Sequence, residues 1–335
     1  MARLSKHDLL LEAERGFEEG GWDILFLSRT REHPARYRIT RGARSFTVRI
    51  YVWNITHGGG HRNAAEYRIQ ITGLNPNQFV SEVGGKTLIL GYWANESVFA
   101  GWDYNFHTSA LGGSPSMQIG EVALLAANQH RFAPHQKENG ELAIAFRPDF
   151  IGDYVENLDE LHASGHVPRE VALLTLMAQD PDQVPEQEIA RTVAGPRQYA
   201  VTQARRALRA LDFKDRVLTA YGHQCAACGV QLRLLDGAHI LPVSEVESTD
   251  ETSNGVALCA LHHRAYDRAL LTFDEQYRVH LNDRRIRELQ TDGHDGKLPE
   301  FRGALRRAIH LPPARADRPD PRYIAAANTL RGWAV

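Results

Sequence analysis

The chain has 335 residues, 43% of them hydrophobic, with 39 basic and 41 acidic side chains and only three cysteines. That length suits two domains, and the composition excludes a disordered, collagen-like or disulfide-built protein. Near-neutral charge excludes a globally basic nucleic-acid binder, and no apolar run is long enough to span a bilayer. Residues 1–20 read as a charged amphipathic helix rather than a secretory leader, so the expected location is the cytoplasm.

In chain order, the pattern predicts a helix over residues 5–19, with Leu9, Leu10, Ala13 and Phe17 on one side. Strands are predicted at 22–28, 37–40, 46–56, 67–72, 87–93 and 98–102, then a helix at 119–130 and a strand at 142–146. Runs of strands with few helices predict an α+β first domain, residues 1–157, built on an antiparallel sheet with flanking helices. Residues 158–196 read as a linker with one short helix at 169–179 and an acidic turn at 180–186, where the domain boundary is placed. A long helix at 198–220 leads into a second domain, residues 197–285, and residues 286–335 form an Arg- and Pro-rich tail. From residue 191 onward 22 basic side chains face 17 acidic ones, whereas the preceding part has 17 and 24. The second half is therefore the more favourable for a polyanion.

Residues 221–273 carry two interleaved sets. Cys225, Cys228, Cys259 and His262 have the C-x-x-C then C-x-x-H spacing of a tetrahedral zinc site and use every cysteine of the chain. The alternative, buried free thiols, leaves that spacing to chance. His239, Asn254 and His263 follow in the order His, Asn, His. Around them, 233–243 reads as a strand broken at Pro242, 244–254 as a polar loop, 256–258 as a second strand and 261–270 as a helix. Neighbours on a helix point about 100° apart, so His262 can complete the zinc site while His263 faces another pocket. A unit this small has little apolar core, and the metal is expected to supply folding energy.

With these residues the stretch resembles the HNH endonucleases, over about a sixth of the chain. The resemblance implies a zinc-stapled ββα-metal fold, hydrolysis of phosphodiesters in double-stranded DNA, and a catalytic Mg2+ or Mn2+. It implies His239 as general base, Asn254 as the residue that holds the loop and helps orient the base, and His263 as a ligand of the catalytic cation. Many members place an aspartate just before the base histidine as a second ligand. Here that position is Ala238, and Asp236 and Asp267 are the nearest substitutes. The lead-in helix, ending Ala220-Tyr221-Gly222, is similar to that of predicted HNH restriction endonucleases, some of which act on modified DNA. Two other readings are a ligand-activated effector nuclease and a non-catalytic zinc module that binds DNA. The intact His239, Asn254 and His263 argue against the latter. One active site cuts one strand, so a homodimer is the expected assembly.

Residues outside the motif are further candidates for DNA contact. Arg205, Arg206, Arg209 and Arg216 on the lead-in helix would meet phosphates; the alternative is a solvated helix face. Trp53 and Trp102 at strand ends would sandwich an extruded base; the alternative is ordinary sheet core. The glycine-rich turn at 57–62 would bring backbone amides and Arg62 to a phosphate; the alternative is a plain hairpin.

Overall fold

Ser5 and Asp8 form a capping box: the Ser5 hydroxyl accepts from the Asp8 amide, and the Asp8 carboxylate accepts from the Ser5 amide. This box starts α1 (Lys6–Glu19), as the pattern predicts. The computed structural model describes residues 3–28, 32–58, 65–74 and 77–333. The chain divides into two units, 1–208 and 209–335, and its overall class is α+β.

The first unit is organised by one sheet. Its strands are β1 (Asp23–Phe26), β2 (Ala35–Arg41), β3 (Arg44–His57), β4 (Glu66–Gln70), β5 (Lys86–Trp93), β6 (Val98–Trp102), β7 (Ser116–Gly120), β8 (Phe132–Gln136) and β9 (Leu142–Phe146). Their order is β1-β2-β3-β5-β6-β9-β8, with β4 pairing β3 and β7 pairing β4. All pairs are antiparallel except β3 with β5, where Ile50 lies opposite Leu88. Parallel neighbours need a long return connection. The chain between them supplies it and places β4 on the way. Helix α2 (Glu121–His130) covers one face, where Leu124 and Ala127 cluster with Ile89, Trp93, Ala100 and Trp102. On the other face α1 offers Glu12 and Glu14, which accept from the Tyr92 and Tyr37 hydroxyls. Strands covered on both sides lose their polar alternation, so β5 and β6 read as unbroken apolar runs.

Two described strands of the first unit escape the sequence pattern. In β7, Ile119 and Gly120 fall in the run assigned to a helix, which instead begins at Glu121. In β8, Pro134 argues against a strand, but β8 is the last strand of the sheet and so tolerates a missing amide.

The expected linker is not one. After α3 (Ile151–Glu156), residues 158–196 form α4 (Leu158–Ala163), α5 (Pro168–Gln179) and α6 (Glu186–Thr192) within the first unit. Leu161, Leu174, Met177 and Ile189 are fully buried, which fixes these helices as part of the fold. Glu170, buried, takes two bonds from Arg197 at 2.9 and 3.0 Å. The division between units falls within α7 (Pro196–Ala220), later than the acidic turn where the sequence places it.

The second unit follows the predicted strand, loop, strand, helix order. It has β10 (Leu235–His239), β11 (Gly255–Cys259) and α8 (Ala260–Asp267), then β12 (Leu271–Phe273), β13 (Val279–Leu281), α9 (Asp283–Thr291), α10 (Leu298–Ala304) and α11 (Pro321–Leu330). The tail wraps back onto the strands: Ile309, Ile324 and Ala327 share a core with Val217, Tyr221, Ile240, Val256 and Leu258. Asn328 fastens it further, accepting from the Thr272 hydroxyl and donating to the Phe273 carbonyl. Among the described residues no helix is long and apolar enough to cross a membrane.

Ile324 is 1% exposed, so Ile324→Ala is expected to destabilise the protein by about 2–5 kcal/mol. Urea unfolding monitored on the full chain checks this. A loss below about 0.5 kcal/mol, as for a surface site, would show that the tail is not part of the core.

Candidate active site

The β10–β11 hairpin sorts the candidate residues by strand alternation. Gly237 pairs with Ala257 and His239 with Gly255, so these four face one side, while Asp236 and Ala238 face the other. Helix α7 lies against the first side. It can approach because two positions are glycine: a Cβ on Gly255 would stand 2.2 Å from Val217 Cγ2, and one on Gly237 would stand 2.9 Å from the Lys214 Cα. The approach stacks Phe213 on the His239 imidazole, with ring centroids 3.7 Å apart and planes 10° off parallel. The edge of that ring meets an acid: His239 Nε2 is 2.9 Å from the Asp250 carboxylate. Arg209 of α7 holds the other Asp250 oxygen at 2.6 Å. The bond to His239, with the Arg209 charge beside it, keeps Asp250 below the usual carboxylate range.

Asn254 is fully buried beneath this loop. Its Oδ1 accepts from the Leu241 amide at 2.9 Å, and its Nδ2 donates to the Thr249 carbonyl at 2.8 Å and the Ser248 hydroxyl at 3.1 Å. One side chain thus ties the start of the 241–254 loop to its far end.

On the other side of the hairpin, α8 brings His263 over Asp236, with Nδ1 3.1 Å from the carboxylate. Asp267 lies 3.6 Å from Nε2. The hydrogen bond between His263 and Asp236 raises the imidazole above its ordinary range and holds the acid below its own. Asp236 is one pleat before Ala238 on the same face, so a carboxylate reaches His263 although the usual position lacks one.

The four predicted zinc ligands also come together, with their donor atoms all within 4.8 Å of one another. His262 Nδ1 is 3.2 Å from the Cys259 sulfur and 3.6 Å from that of Cys225. Bond lengths usual for zinc give a tetrahedral S···N edge of about 3.5 Å, so the donor set fits zinc. Local structure explains the convergence. The Gly229 amide closes the Cys225 turn at 2.8 Å, and Cys259 ends β11 while standing at the N-cap of α8. Burial pushes the Cys228 thiol up to about 12, so a thiolate there needs a cation beside it. All four positions are protein side chains, so a zinc held here would have no open position. The Asp236–His263 pair is more exposed than that cluster.

The remaining candidates stand elsewhere than the sequence suggests. Arg205 is buried and donates to the Pro181 carbonyl at 2.7 Å, and Arg206 pairs with Glu186 at 2.8 Å. Arg216 bonds Asp212 at 2.7 Å, the Thr252 hydroxyl at 3.1 Å and the Asp250 carbonyl at 2.8 Å. With Arg209 on Asp250, each of the four predicted arginines has a partner within the chain. Trp53 and Trp102 are 4% and 0% exposed, and each indole N–H bonds a carbonyl, of Thr72 and Gln118 respectively. Both belong to the sheet core, and neither offers a face to a base. Arg62 and most of its turn lie outside the described residues. Sequence reasoning missed Asp250, read only as a polar loop residue, and took Phe213 only as an inward-facing apolar one.

Residues 225–274 match the HNH endonuclease family, and residues 46–155 match the family described as Methylase-associated X1. Among solved structures, the chain is similar to a modification-dependent TagI restriction endonuclease. The two are 13% identical over 83% of this chain and 80% of that one, with a TM-score of 0.31. No curated protein sequence matches. The second unit thus contains an HNH endonuclease domain, and the protein is a DNA nuclease.

Purified protein is expected to hold one zinc per chain by metal analysis. Cys259→Ser should lose it and unfold the second unit. A folded, zinc-free Cys259→Ser protein would exclude the assignment.

Proposed function

We propose that the protein is a metal-dependent restriction endonuclease directed to modified DNA, with the first unit reading the target and the second cutting it. The observation that carries the chemistry is the division of the hairpin. His239, anchored by a carboxylate, lies on one face, and the Asp236–His263 pair lies on the other. In-line displacement at phosphorus needs nucleophile and leaving group on opposite sides. Two faces of one short hairpin suit that demand.

His239, as a neutral imidazole, accepts a proton from the attacking water. Asp236 and His263, with Asp267 in reach, would hold Mg2+ or Mn2+, which supplies positive charge for the leaving 3′ oxygen. Asn254 keeps the loop beside the base in place. Each chain carries one such site, so a double-strand break takes two chains, and a homodimer acting in the cytoplasm is the simplest assembly. The likeness of residues 46–155 to a methylase-associated family supports a task linked to DNA modification.

The test is digestion of matched modified and unmodified genomic DNAs in Mg2+, with sequencing of the cut ends. Cuts should cluster at modified sites and leave 5′-phosphate and 3′-hydroxyl ends. His239→Ala should slow cutting by about 10²-fold or more while DNA binding persists. Equal cutting of both DNAs would mark an ordinary restriction enzyme. Silence until a small ligand is added would mark an effector nuclease, and binding without any cutting would mark a zinc module.

A further inference from the structure

The base is gripped by groups that belong to no part of the His-Asn-His motif. We propose that Asp250 is the positioning residue for His239, fixing the ring so that Nδ1 is the atom that takes the proton from water, with Arg209 fixing Asp250 in turn. This rests on the nuclease reading above and deepens it.

An ionised carboxylate only accepts hydrogen bonds, so at 2.9 Å the His239 Nε2 is the donor. A neutral imidazole that carries its hydrogen on Nε2 has its lone pair on Nδ1. The reactive tautomer is therefore selected by a residue eleven positions downstream in a loop. In the step itself an O–H bond of water breaks as an N–H bond forms at Nδ1. The oxygen bonds to phosphorus while the bond to the 3′ oxygen breaks, and that oxygen later takes a proton from solvent. The imidazolium so formed faces Asp250, which stabilises it.

The surroundings suit this role. Charged groups near the ring include Asp250 from the loop, with Arg209 and Arg216 of α7 bonded to it and Asp212 on Arg216. Arg209 at 2.6 Å keeps Asp250 ionised and oriented. Phe213, stacked at 3.7 Å, restricts tilting of the ring. A flip of the ring about its own bond would present carbon to Asp250 and lose the contact. Asn254 acts one step further back, because its bond to the Thr249 carbonyl sets the residue that precedes Asp250.

The experiment compares Asp250→Asn, Asp250→Glu and His239→Ala in the full chain, with 15N NMR of the His239 ring. Asp250→Asn should cut about 10²-fold more slowly with DNA affinity within about 2-fold of the parent. Its pH–rate profile should differ from the parent's, because a charged acceptor beside the ring has been replaced by a neutral one. Asp250→Glu should recover part of the rate. A residue of merely structural importance would lower the melting temperature without changing that profile. In the parent protein the NMR spectrum should show hydrogen on Nε2 and none on Nδ1. If Asp250→Asn keeps the parental rate and pH profile while His239→Ala is dead, the proposal is wrong and the nuclease reading stands. If His239→Ala cuts normally, His239 is not the base and both fall. Should Asp250→Asn fail to fold, an Nδ1–H tautomer in the parent overturns the proposal.

Discussion

The convergence of three thiols and one imidazole is the constraint on which the second unit depends. The four donors come from a tight turn, the end of a strand and the first turn of a helix. Cys259 serves as the last residue of β11, the cap of α8 and one of the four converging donors at once. Holding it therefore holds the strand–helix angle. Holding His262, three residues on, also fixes the rotation of α8 about its axis. The direction of His263 follows from that rotation and needs no further determinant. Without a cation, the same four groups would be polar atoms set against an apolar cluster that includes Tyr221, Ala226 and Leu258.

A second constraint is the pleat of a five-residue strand. Asp236 and His239 differ by an odd number of residues, so they cannot share a face. The separation of the two halves of the proposed chemistry is thus a property of the backbone rather than of adjustable loops, and such placement resists distortion. Gly237 and Gly255 complete it, since any side chain there would push α7, and Phe213 with it, away from the imidazole. The loop that contributes Asp250 is tied together by Asn254, and Arg209 and Arg216 hold Asp250 itself.

What could be read from the sequence was what short-range spacing encodes. Cys225, Cys228, Cys259 and His262 declare themselves by spacing, as does the order of strand, loop, strand and helix around them. Asp250 does not, because the destination of a loop residue depends on a strand and a helix far from it in the chain. The partners of the α7 arginines were hidden for a related reason. Arg206 finds Glu186 twenty residues upstream and Arg216 reaches Thr252 thirty-six downstream, and no local pattern reports such partners. Trp53 and Trp102 sit on strands covered on both sides, where continuous apolarity hides which residues face a cavity and which face the core. The tail was opaque because its anchors, Ile309 and Ile324, are isolated among Arg and Pro.

That tail also completes the turn around Cys225 and Cys228. The Arg306 amide donates to the Ala227 carbonyl at 2.8 Å, and the His310 amide to the Ala226 carbonyl at 2.9 Å. Phe301 packs against the His262 ring, with centroids 5.3 Å apart. Chain from well beyond α8 therefore closes the hydrogen bonding of a turn that precedes it. The recognisable motif, residues 225–274, is smaller than the object that folds. Gene exchange that moved only the motif would deliver strands with bare carbonyls and an uncovered apolar face. The portable piece of this protein is the whole of residues 209–335, and inheritance of the chemistry is tied to inheritance of its wrapping.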